Sequence, residues 1–197
     1  MNIRKIEDDA RQVLHQPIGE KTKWIVITGA PSAGKTTILQ ELNIRGFKTS
    51  PDISREHLEY LLSLNGDKFD IRRDEAAVQQ EILWKMLLAE SRLPVSETIF
   101  LEYALPDNLP FWDVGNIPLT GDVWRAAVRF RYRHILIFDS LPFVDDNIRT
   151  GSDAKQSQII EKQKMYYSAL GYQWVSVPVA PIKERASIVL NLLEATA

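Results

Sequence analysis

The sequence predicts an α/β fold of three layers, in which helices cover both faces of a mostly parallel sheet. Two observations support this prediction: short apolar runs alternate with stretches of helical periodicity, and no long region contains strands alone. The alternation predicts five strands, near residues 24–28, 47–50, 98–102, 134–139 and 173–178. A phosphate-loop motif between the first strand and the next helix indicates that the fold binds a nucleotide.

Composition and charge narrow the class of protein further. Of 197 residues, 45% are apolar and 25% are charged, which is ordinary for a soluble globular protein. No repeat, linker or low-complexity segment divides the chain, so we expect a single domain over residues 1–197. The net charge of −2 gives no reason to expect nucleic-acid binding, and the lack of cysteine excludes disulfides and thiolate sites. Since neither a signal peptide nor a run of the ~20 apolar residues needed to span a bilayer occurs, we expect a cytoplasmic protein without membrane contact.

Helices are predicted between and around the strands. An N-terminal helical extension covers residues 1–20, with the helix itself over residues 2–16. Further helices are predicted over residues 34–45, 54–64, 74–90, 152–170 and 182–193. Residues 121–133 are also predicted to be helical, and a basic run of this kind is usually a solvated face. Its arginines are Arg125, Arg129, Arg131 and Arg133.

Residues 24–37 contain the most specific motif in the chain. Residues 29–36 read Gly-Ala-Pro-Ser-Ala-Gly-Lys-Thr, a full match to the phosphate-binding loop G-x-x-x-x-G-K-[ST]. An apolar run precedes the motif and a helical stretch follows it, with Gly46 as the predicted C-cap. The candidate nucleotide-binding residues are Gly29, Ala30, Pro31, Ser32, Ala33, Gly34, Lys35, Thr36 and Thr37.

Each type of residue in this motif has a physical role. Gly29 and Gly34 permit backbone angles that a Cβ atom would forbid, so successive N–H groups can surround phosphate oxygens. The N-terminus of the following helix adds its partial positive charge. Lys35 is expected to reach the β- and γ-phosphates, and the Thr36 hydroxyl is expected to bind Mg²⁺. The motif therefore predicts binding of a nucleoside triphosphate, such as ATP, with Mg²⁺.

Polar residues follow three of the predicted strands, at the edge of an open α/β sheet that faces the ligand crevice. Asp52 and Arg55 follow the second strand, Glu102 the third and Asp139 the fourth. Asp52 could accept a hydroxyl proton and Arg55 could pair with a phosphate, but spacing alone favours a charged helix start capped by Ser54. Glu102 is a candidate magnesium partner that resembles a Walker-B acid.

Two connecting stretches are also informative. Residues 103–113 combine prolines with aromatic side chains, and they form either a substrate-covering loop or a plain hydrophobic connection. Residues 141–151 are polar and rich in turn-forming residues, and they precede the predicted helix over residues 152–170.

With these stretches in view, the chain resembles the NadR-like family of small P-loop proteins with an AAA-type domain. The family is related to nicotinamide-riboside kinase and, more distantly, to nucleoside and nucleotide kinases. The resemblance extends over residues 23–193, and its most specific parts are Arg149-Thr150 and Leu170-Gly-Tyr172. The matching stretches are residues 27–37, 45–47, 51–56, 104–107, 141–150, 167–172 and 177–179.

The resemblance implies a P-loop NTPase fold with five parallel strands in nucleoside-kinase order, and it implies roles for particular residues. The strand that ends in Glu102 would lie beside the phosphate-loop strand, which favours Glu102 over Asp139 as the partner of Thr36 at the magnesium site. Arg149 matches a lid arginine that neutralises charge on the transferring phosphoryl group. Asp52 and Arg55 match an acid and an arginine that relatives usually place on the acceptor side, and we also expect Tyr103 and Asp107 to bind the acceptor. The expected catalytic residues are Lys35, Asp52 and Arg149.

One position departs from the family. Relatives commonly carry Asp-Arg after the third strand, whereas this chain has Glu102 and Tyr103. The acid is kept with one more methylene group, and the arginine is lost. If that arginine grips the acceptor in relatives, then either the acceptor differs here or phosphoryl transfer is weak.

Three functions are compatible with these features. The first is a small-molecule kinase, whose acceptor lies between residues 52–60 and 103–113 under a lid formed by residues 142–170. The second is a nucleotide-dependent switch or binding module with little turnover, and the third is a simple NTP phosphohydrolase. A GTPase is disfavoured because the chain contains neither Asp-x-x-Gly nor Asn-Lys-x-Asp.

Overall fold

The computed structural model describes residues 3–65, 67, 71, 73–141 and 152–194. Its strands are β1 (Glu20–Lys21), β2 (Ile25–Gly29), β3 (Lys48–Ser50), β4 (Ile99–Glu102), β5 (Phe130–Arg131), β6 (His134–Phe138) and β7 (Trp174–Val177). Its helices are α1 (Ile3–Leu14), α2 (Lys35–Ile44), α3 (Ile53–Asn65), α4 (Glu75–Ser91), α5 (Asn108–Val114), α6 (Gly121–Ala127), α7 (Asp153–Ala169) and α8 (Ile182–Glu194). A 3-10 turn over Leu105–Asp107 leads into α5.

A five-stranded sheet with the order β3-β4-β2-β6-β7 forms the centre of the molecule. Every pair of neighbouring strands in it is parallel, so the predicted fold class is confirmed. All five strands lie where the sequence predicted them, to within one residue at each end. Strand β2 pairs with β4, as the resemblance implied, and Ile27 lies opposite Glu102.

Successive side chains of the central strands point to opposite faces of the sheet. A separate core therefore forms on each face, between the sheet and the helices that cover it. Ile25 and Ile27 point to the face covered by α2 and α8, whereas Val26 points to the face covered by α4 and α7. All three side chains are fully buried. A parallel strand covered on both faces must be apolar throughout, and this explains the short continuous apolar runs in the sequence.

The N-terminal extension packs against the rest of the domain. Helix α1 lies on α4 and buries Ala10 and Leu14, and β1 pairs in parallel with β5 in a separate two-stranded sheet. Among the residues that the structure describes, no helix is both long and apolar enough to cross a membrane.

The basic helix predicted over residues 121–133 is correct only for its first half. Helix α6 ends at Ala127, and Phe130 then pairs with Glu20 in the small sheet. The solvated face predicted for the arginines is also wrong for Arg129, which is only 5% exposed. Its guanidinium donates to Pro17 O at 2.9 Å and pairs with the Glu20 carboxylate at 2.9 Å. The error arose because a local charge pattern does not reveal carbonyl partners more than a hundred residues away.

A buried carboxyl group, Glu90, connects α4 to two other parts of the same core. It accepts hydrogen bonds from the Tyr132 hydroxyl at 2.6 Å and from Leu105 N at 2.9 Å. Burial raises the pKa of Glu90 to about 8, and the two hydrogen bonds oppose this effect only in part. The folded protein therefore keeps this proton over a pH range in which the unfolded chain has released it.

The pH dependence of stability should reveal this group. Because its folded pKa is raised from 4.5 to about 8, the stability contributed by protonated Glu90 is complete below pH 4.5 and is lost as the pH rises to about 8. In Glu90→Gln, the amide replaces the protonated acid and this loss should disappear. The melting temperature of the wild type should therefore fall relative to that of Glu90→Gln between pH 5 and pH 8, by about 2–4 °C per kcal/mol.

The matched control is Glu184→Gln, because Glu184 is an exposed acid on α8. Its melting temperature should follow that of the wild type at every pH. Parallel melting curves for the wild type and Glu90→Gln from pH 5 to pH 8 would contradict the assignment.

Candidate functional site

The phosphate loop adopts a backbone path that its glycines make possible. Gly29 has φ +135°, and a Cβ atom there would lie 2.6 Å from Phe138 O. Gly34 has φ +80° immediately before α2, and Ser32 also has a positive φ of 63°. The loop therefore turns tightly from the end of β2 into the start of α2, which is the geometry that directs N–H groups into a concavity.

Lys35 begins α2 and is 2% exposed. Its ammonium donates to Gly29 O at 3.2 Å and to Ala30 O at 2.8 Å, so the side chain lies across the loop. The same ammonium lies 4.2 Å from the centroid of the Tyr103 ring, close enough for a cation–π interaction. Lys35 thus connects the phosphate loop with the residue that follows β4.

Thr36 and Glu102 are in direct contact. The Thr36 hydroxyl donates to Glu102 Oε1 at 2.8 Å, although 66 residues separate the two along the chain. A hydroxyl and a carboxylate beside a phosphate loop are the oxygen ligands that Mg²⁺ uses together with phosphates and water, so the residues present fit this ion. The alternative acid, Asp139, accepts instead from the Ser176 hydroxyl at 2.7 Å.

Asp52 caps α3, so the predicted Ser54 cap is wrong. Asp52 Oδ1 accepts from Arg55 N at 3.0 Å and also from the Ser54 hydroxyl. Its carboxylate accepts from the N–H of the third helical residue, so the N-cap lies two residues earlier than predicted. The Arg55 guanidinium donates to Glu59 at 2.9 Å on the next turn.

A cleft of about 660 Å³ brings several of the predicted residues together. Thr36, Asp52, Arg55 and Glu102 all line it. Two acids, Asp52 after the end of β3 and Glu102 at the end of β4, therefore face one space beside the phosphate loop.

A second cavity has a volume of about 510 Å³, and the loop residue Pro31 forms part of its lining. We call it the α4 cavity, because α4 contributes Glu75, Gln79, Ile82 and Met86 to its lining. The phosphate loop, α3, α5 and α7 supply its other walls. It lies between residues 52–60 and 103–113, where the sequence predicted the acceptor, and both Tyr103 and Asp107 line it.

Tyr103 has an unusual conformation for a large side chain. Its φ is +60°, and its N–H donates to Ile27 O at 3.1 Å, which turns the chain sharply after β4. One face of its ring contacts Lys35, and Phe111 packs edge-on at 5.6 Å between centroids. Residues 103–113 are therefore not an exposed loop, because the 3-10 turn and α5 form a buried wall of the cavity.

Asp107 is 1% exposed and is held by donors from three parts of the chain. Its Oδ1 accepts from Thr28 at 2.6 Å and Gln163 at 3.1 Å, and its Oδ2 accepts from Tyr167 and Ala104 N, both at 2.8 Å. Burial raises its pKa to about 6, while these hydrogen bonds and Lys35 oppose the rise. This network fastens α7 to the end of β2, directly before the phosphate loop.

Sequence reasoning missed the partners of this network and also missed Arg185. The Arg185 guanidinium donates to the loop carbonyl of Ala33 at 2.7 Å and to Asp139 O at 3.0 Å, and it stacks on Phe138 at 4.2 Å. It therefore holds the phosphate loop against the ends of β6 and β7. A single arginine in an amphipathic final helix gave no signal of this role.

Arg149 and residues 142–151 lie outside the described residues.

Comparison with known families gives the class of the protein. The family model of the AAA domain matches residues 24–185, and the chain belongs to this family. No curated protein matches the sequence significantly.

Solved structures of P-loop kinases share this fold. NadR in complex with NAD and AMP-PNP superposes with a TM-score of 0.64 at 16% identity, over 85% of this chain and 48% of that one. Deoxyadenosine kinase from M. mycoides with bound dATP gives 0.60 at 15% identity, over 86% and 98%. Thymidylate kinase from Candida albicans gives 0.56 at 13%, over 89% and 92%.

The resemblance to NadR-like P-loop proteins is therefore confirmed, and the chain has the fold of nucleotide-binding P-loop kinases. At these identities the structural matches establish the fold alone. The chain spans about half of the NadR chain that it matches.

Nucleotide binding should depend on the charge of Lys35. Lys35→Met keeps the length of the side chain but removes the ammonium, which is the expected partner of the triphosphate. Calorimetry should show ATP affinity reduced by about 10- to 100-fold, the usual range for a hydrogen bond to a charged group. Lys48→Met, which removes an exposed lysine of β3, should bind ATP like the wild type. Unchanged affinity in Lys35→Met would contradict binding at this loop.

Proposed function

We propose that the protein is an ATP- and Mg²⁺-dependent kinase that transfers the γ-phosphoryl group to a hydroxyl of a nucleoside- or vitamin-like small molecule. The observation that supports this most strongly is the α4 cavity. It has about 510 Å³ of space, enough for a small heterocycle with a sugar, and the loop residue Pro31 forms part of its wall. A protein that only bound or hydrolysed a triphosphate would not need a second enclosed space beside the loop.

The triphosphate would occupy the loop of residues 29–37. Loop N–H groups and the α2 N-terminus would hold the phosphates, and Lys35 would turn from the loop carbonyls to the β- and γ-oxygens. Thr36 and Glu102 would hold Mg²⁺, which supplies positive charge between the phosphates when bound. Arg185 would keep the loop in place through its contact with Ala33 O.

The acceptor would enter the α4 cavity with its hydroxyl towards the loop. Tyr103 and Asp107 line this space, whereas Asp52 and Arg55 line the cleft that also contains Thr36 and Glu102. Both lie at the start of α3, and Ser54 and Leu58 of this helix line the α4 cavity. We assign Asp52 as the group that takes the hydroxyl proton and Arg55 as a partner of the acceptor or the γ-phosphate. Because phosphoryl transfer has a loose transition state, the base would contribute only about 10²–10⁴-fold.

The lid would complete the site. Lys155 and Ile159 on α7 line the α4 cavity, so movement of this helix would change access to it. Closure would exclude water, so that the acceptor rather than hydrolysis receives the phosphoryl group. We assign to Arg149, which precedes α7 in the sequence, the role of neutralising charge on the transferring group.

The solved neighbours are consistent with this proposal. They are NadR bound to NR or to NAD and AMP-PNP, and deoxyadenosine kinase bound to nucleotides.

One observation favours the alternative of a nucleotide-dependent binding module or a phosphohydrolase. It is Tyr103, which stands where relatives commonly have an arginine and which stacks on Lys35.

Measuring ADP formation from ATP and Mg²⁺ separates these functions. A kinase should form ADP only when a suitable nucleoside or vitamin is added, and mass spectrometry should detect an acceptor that is one phosphoryl group heavier. Lys35→Met should abolish both signals, because it removes the charge that pairs with the phosphates. ADP formation that does not depend on any acceptor would indicate a phosphohydrolase. Tight ATP binding without turnover across a panel of nucleosides, vitamins and sugars would indicate a switch.

A further inference from the structure

Hydrogen bonds within the protein fix the orientation of polar side chains that line the α4 cavity. Gln79 is 7% exposed and lines the cavity from α4. Its amide nitrogen donates to Glu75 Oε1 at 2.9 Å. Since a carboxylate can only accept, this bond fixes which end of the amide faces Glu75, and the carbonyl oxygen faces away from it. Among the described residues, no group donates a hydrogen bond to that oxygen.

Asn108 repeats this arrangement on another wall. It is 3% exposed, and its amide nitrogen donates to Leu105 O at 3.0 Å and contacts Met86 Sδ at 3.5 Å. Both partners only accept, so they fix the orientation of the amide in the same way. Its carbonyl oxygen receives no donor from the part of the chain that the structure describes.

The remaining polar side chains extend the same pattern. The Ser54 hydroxyl gives its proton to Asp52, so only its lone pairs remain for a ligand. Glu75 and Asp107 are carboxyl groups that accept in the contacts described above. Most polar groups of the inner surface are therefore hydrogen-bond acceptors, whereas Lys155 on α7 and the Tyr103 hydroxyl, which also line the cavity, can donate.

The two unpaired carbonyl oxygens also differ in their distance from the phosphate loop. Asn108 contacts Met86 and follows Asp107, which bonds to Thr28 directly before the loop. Gln79 lies seven residues before Met86 on α4, which places it about 10 Å further along the helix. Between them the lining is apolar, with Leu58, Ile82 and Phe111 among its residues.

We propose that the α4 cavity selects a planar heterocycle whose outer edge carries an amino or carboxamide NH₂ group. Gln79 Oε1, with the Glu75 carboxylate beside it, accepts from that NH₂ group, and Asn108 Oδ1 accepts from a sugar hydroxyl nearer the loop. This inference rests on the proposed function for the role of the cavity as the acceptor site. The reason is that these two carbonyl oxygens have no donor among the described residues, so a ligand that carries donors can form hydrogen bonds with them. A ligand with a carbonyl or carboxylate at the same edge would place acceptor against acceptor.

Three pairs of ligands test this selectivity, because the members of each pair differ in the polar groups at the ring edge. In uridine and inosine a carbonyl replaces the NH₂ group and the neighbouring ring nitrogen gains a hydrogen, whereas the third pair differs only in the carboxamide or carboxylate. They are cytidine and uridine, adenosine and inosine, and nicotinamide riboside and nicotinic acid riboside. Calorimetry with AMP-PNP and Mg²⁺ present should give affinities about 10- to 100-fold higher for the NH₂-bearing member of at least one pair. Equal affinities within every pair, tighter binding of the oxo or acid members, or no binding of any ligand would overturn the proposal.

A matched pair of variants tests whether Gln79 determines this preference. Gln79→Met keeps the length of the side chain but removes the oxygen, so the two members of the discriminated pair should then bind with similar affinity. Gln80→Met makes the same change at the next residue of α4, which does not line the cavity, and the preference should stay. Both variants should keep the melting temperature and the AMP-PNP affinity of the wild type. An unchanged preference in Gln79→Met would overturn the assignment of this residue.

Transfer of a phosphoryl group is measured separately, on the same ligands with ATP. Selective binding without transfer would contradict the proposed kinase and leave the selectivity of the cavity supported. Transfer without selectivity within the pairs would support the kinase and overturn the inference about the NH₂ group.

Discussion

The parallel pairing of β2 with β4 is the constraint on which the rest of the site depends. The register sets Ile27 opposite Glu102, so the loop that follows β2 and the acid that ends β4 meet at one edge of the sheet. The contact of Thr36 with Glu102 at 2.8 Å follows directly from this register. A shift by one residue would turn the acid to the other face of the sheet and separate the pair. Such a shift would also force the buried side chains on both faces of these strands to repack.

Sequence reasoning predicted the parts of the site that local chemistry dictates. The loop glycines and Lys35 form a motif whose residues act within a few positions of each other, and Glu102 follows an apolar strand directly. It did not predict the contacts of Asp107, because Gln163 lies 56 residues away on a helix whose polar positions look solvent-facing. Arg129 was misread for the same reason: a charge pattern carries no information about distant carbonyl partners. The α3 cap was assigned to Ser54, because spacing does not show which of two neighbouring oxygens reaches the helix N–H groups.

Two buried acids, Glu90 and Asp107, fix the positions of helices in addition to packing in the core. Glu90 and Asp107 have pKa values raised by burial, and each accepts hydrogen bonds from side chains or backbone of other elements. Such groups are costly unless every donor is in place, so they fix the positions of α4, α5 and α7 relative to the sheet. These three helices form walls of the α4 cavity. The shape of the cavity and the orientation of Gln79 are therefore consequences of the core.

The central claim is that one site holds a triphosphate in the loop and a hydroxyl acceptor in the α4 cavity. A crystal structure with AMP-PNP, Mg²⁺ and a nucleoside tests it most directly. The account predicts β- and γ-phosphates against Lys35, the metal ion at Thr36 and Glu102, and the nucleoside in the cavity with a hydroxyl directed at the γ-phosphate. Phosphates away from the loop, or a nucleoside whose hydroxyls all point away from the γ-phosphate, would contradict it.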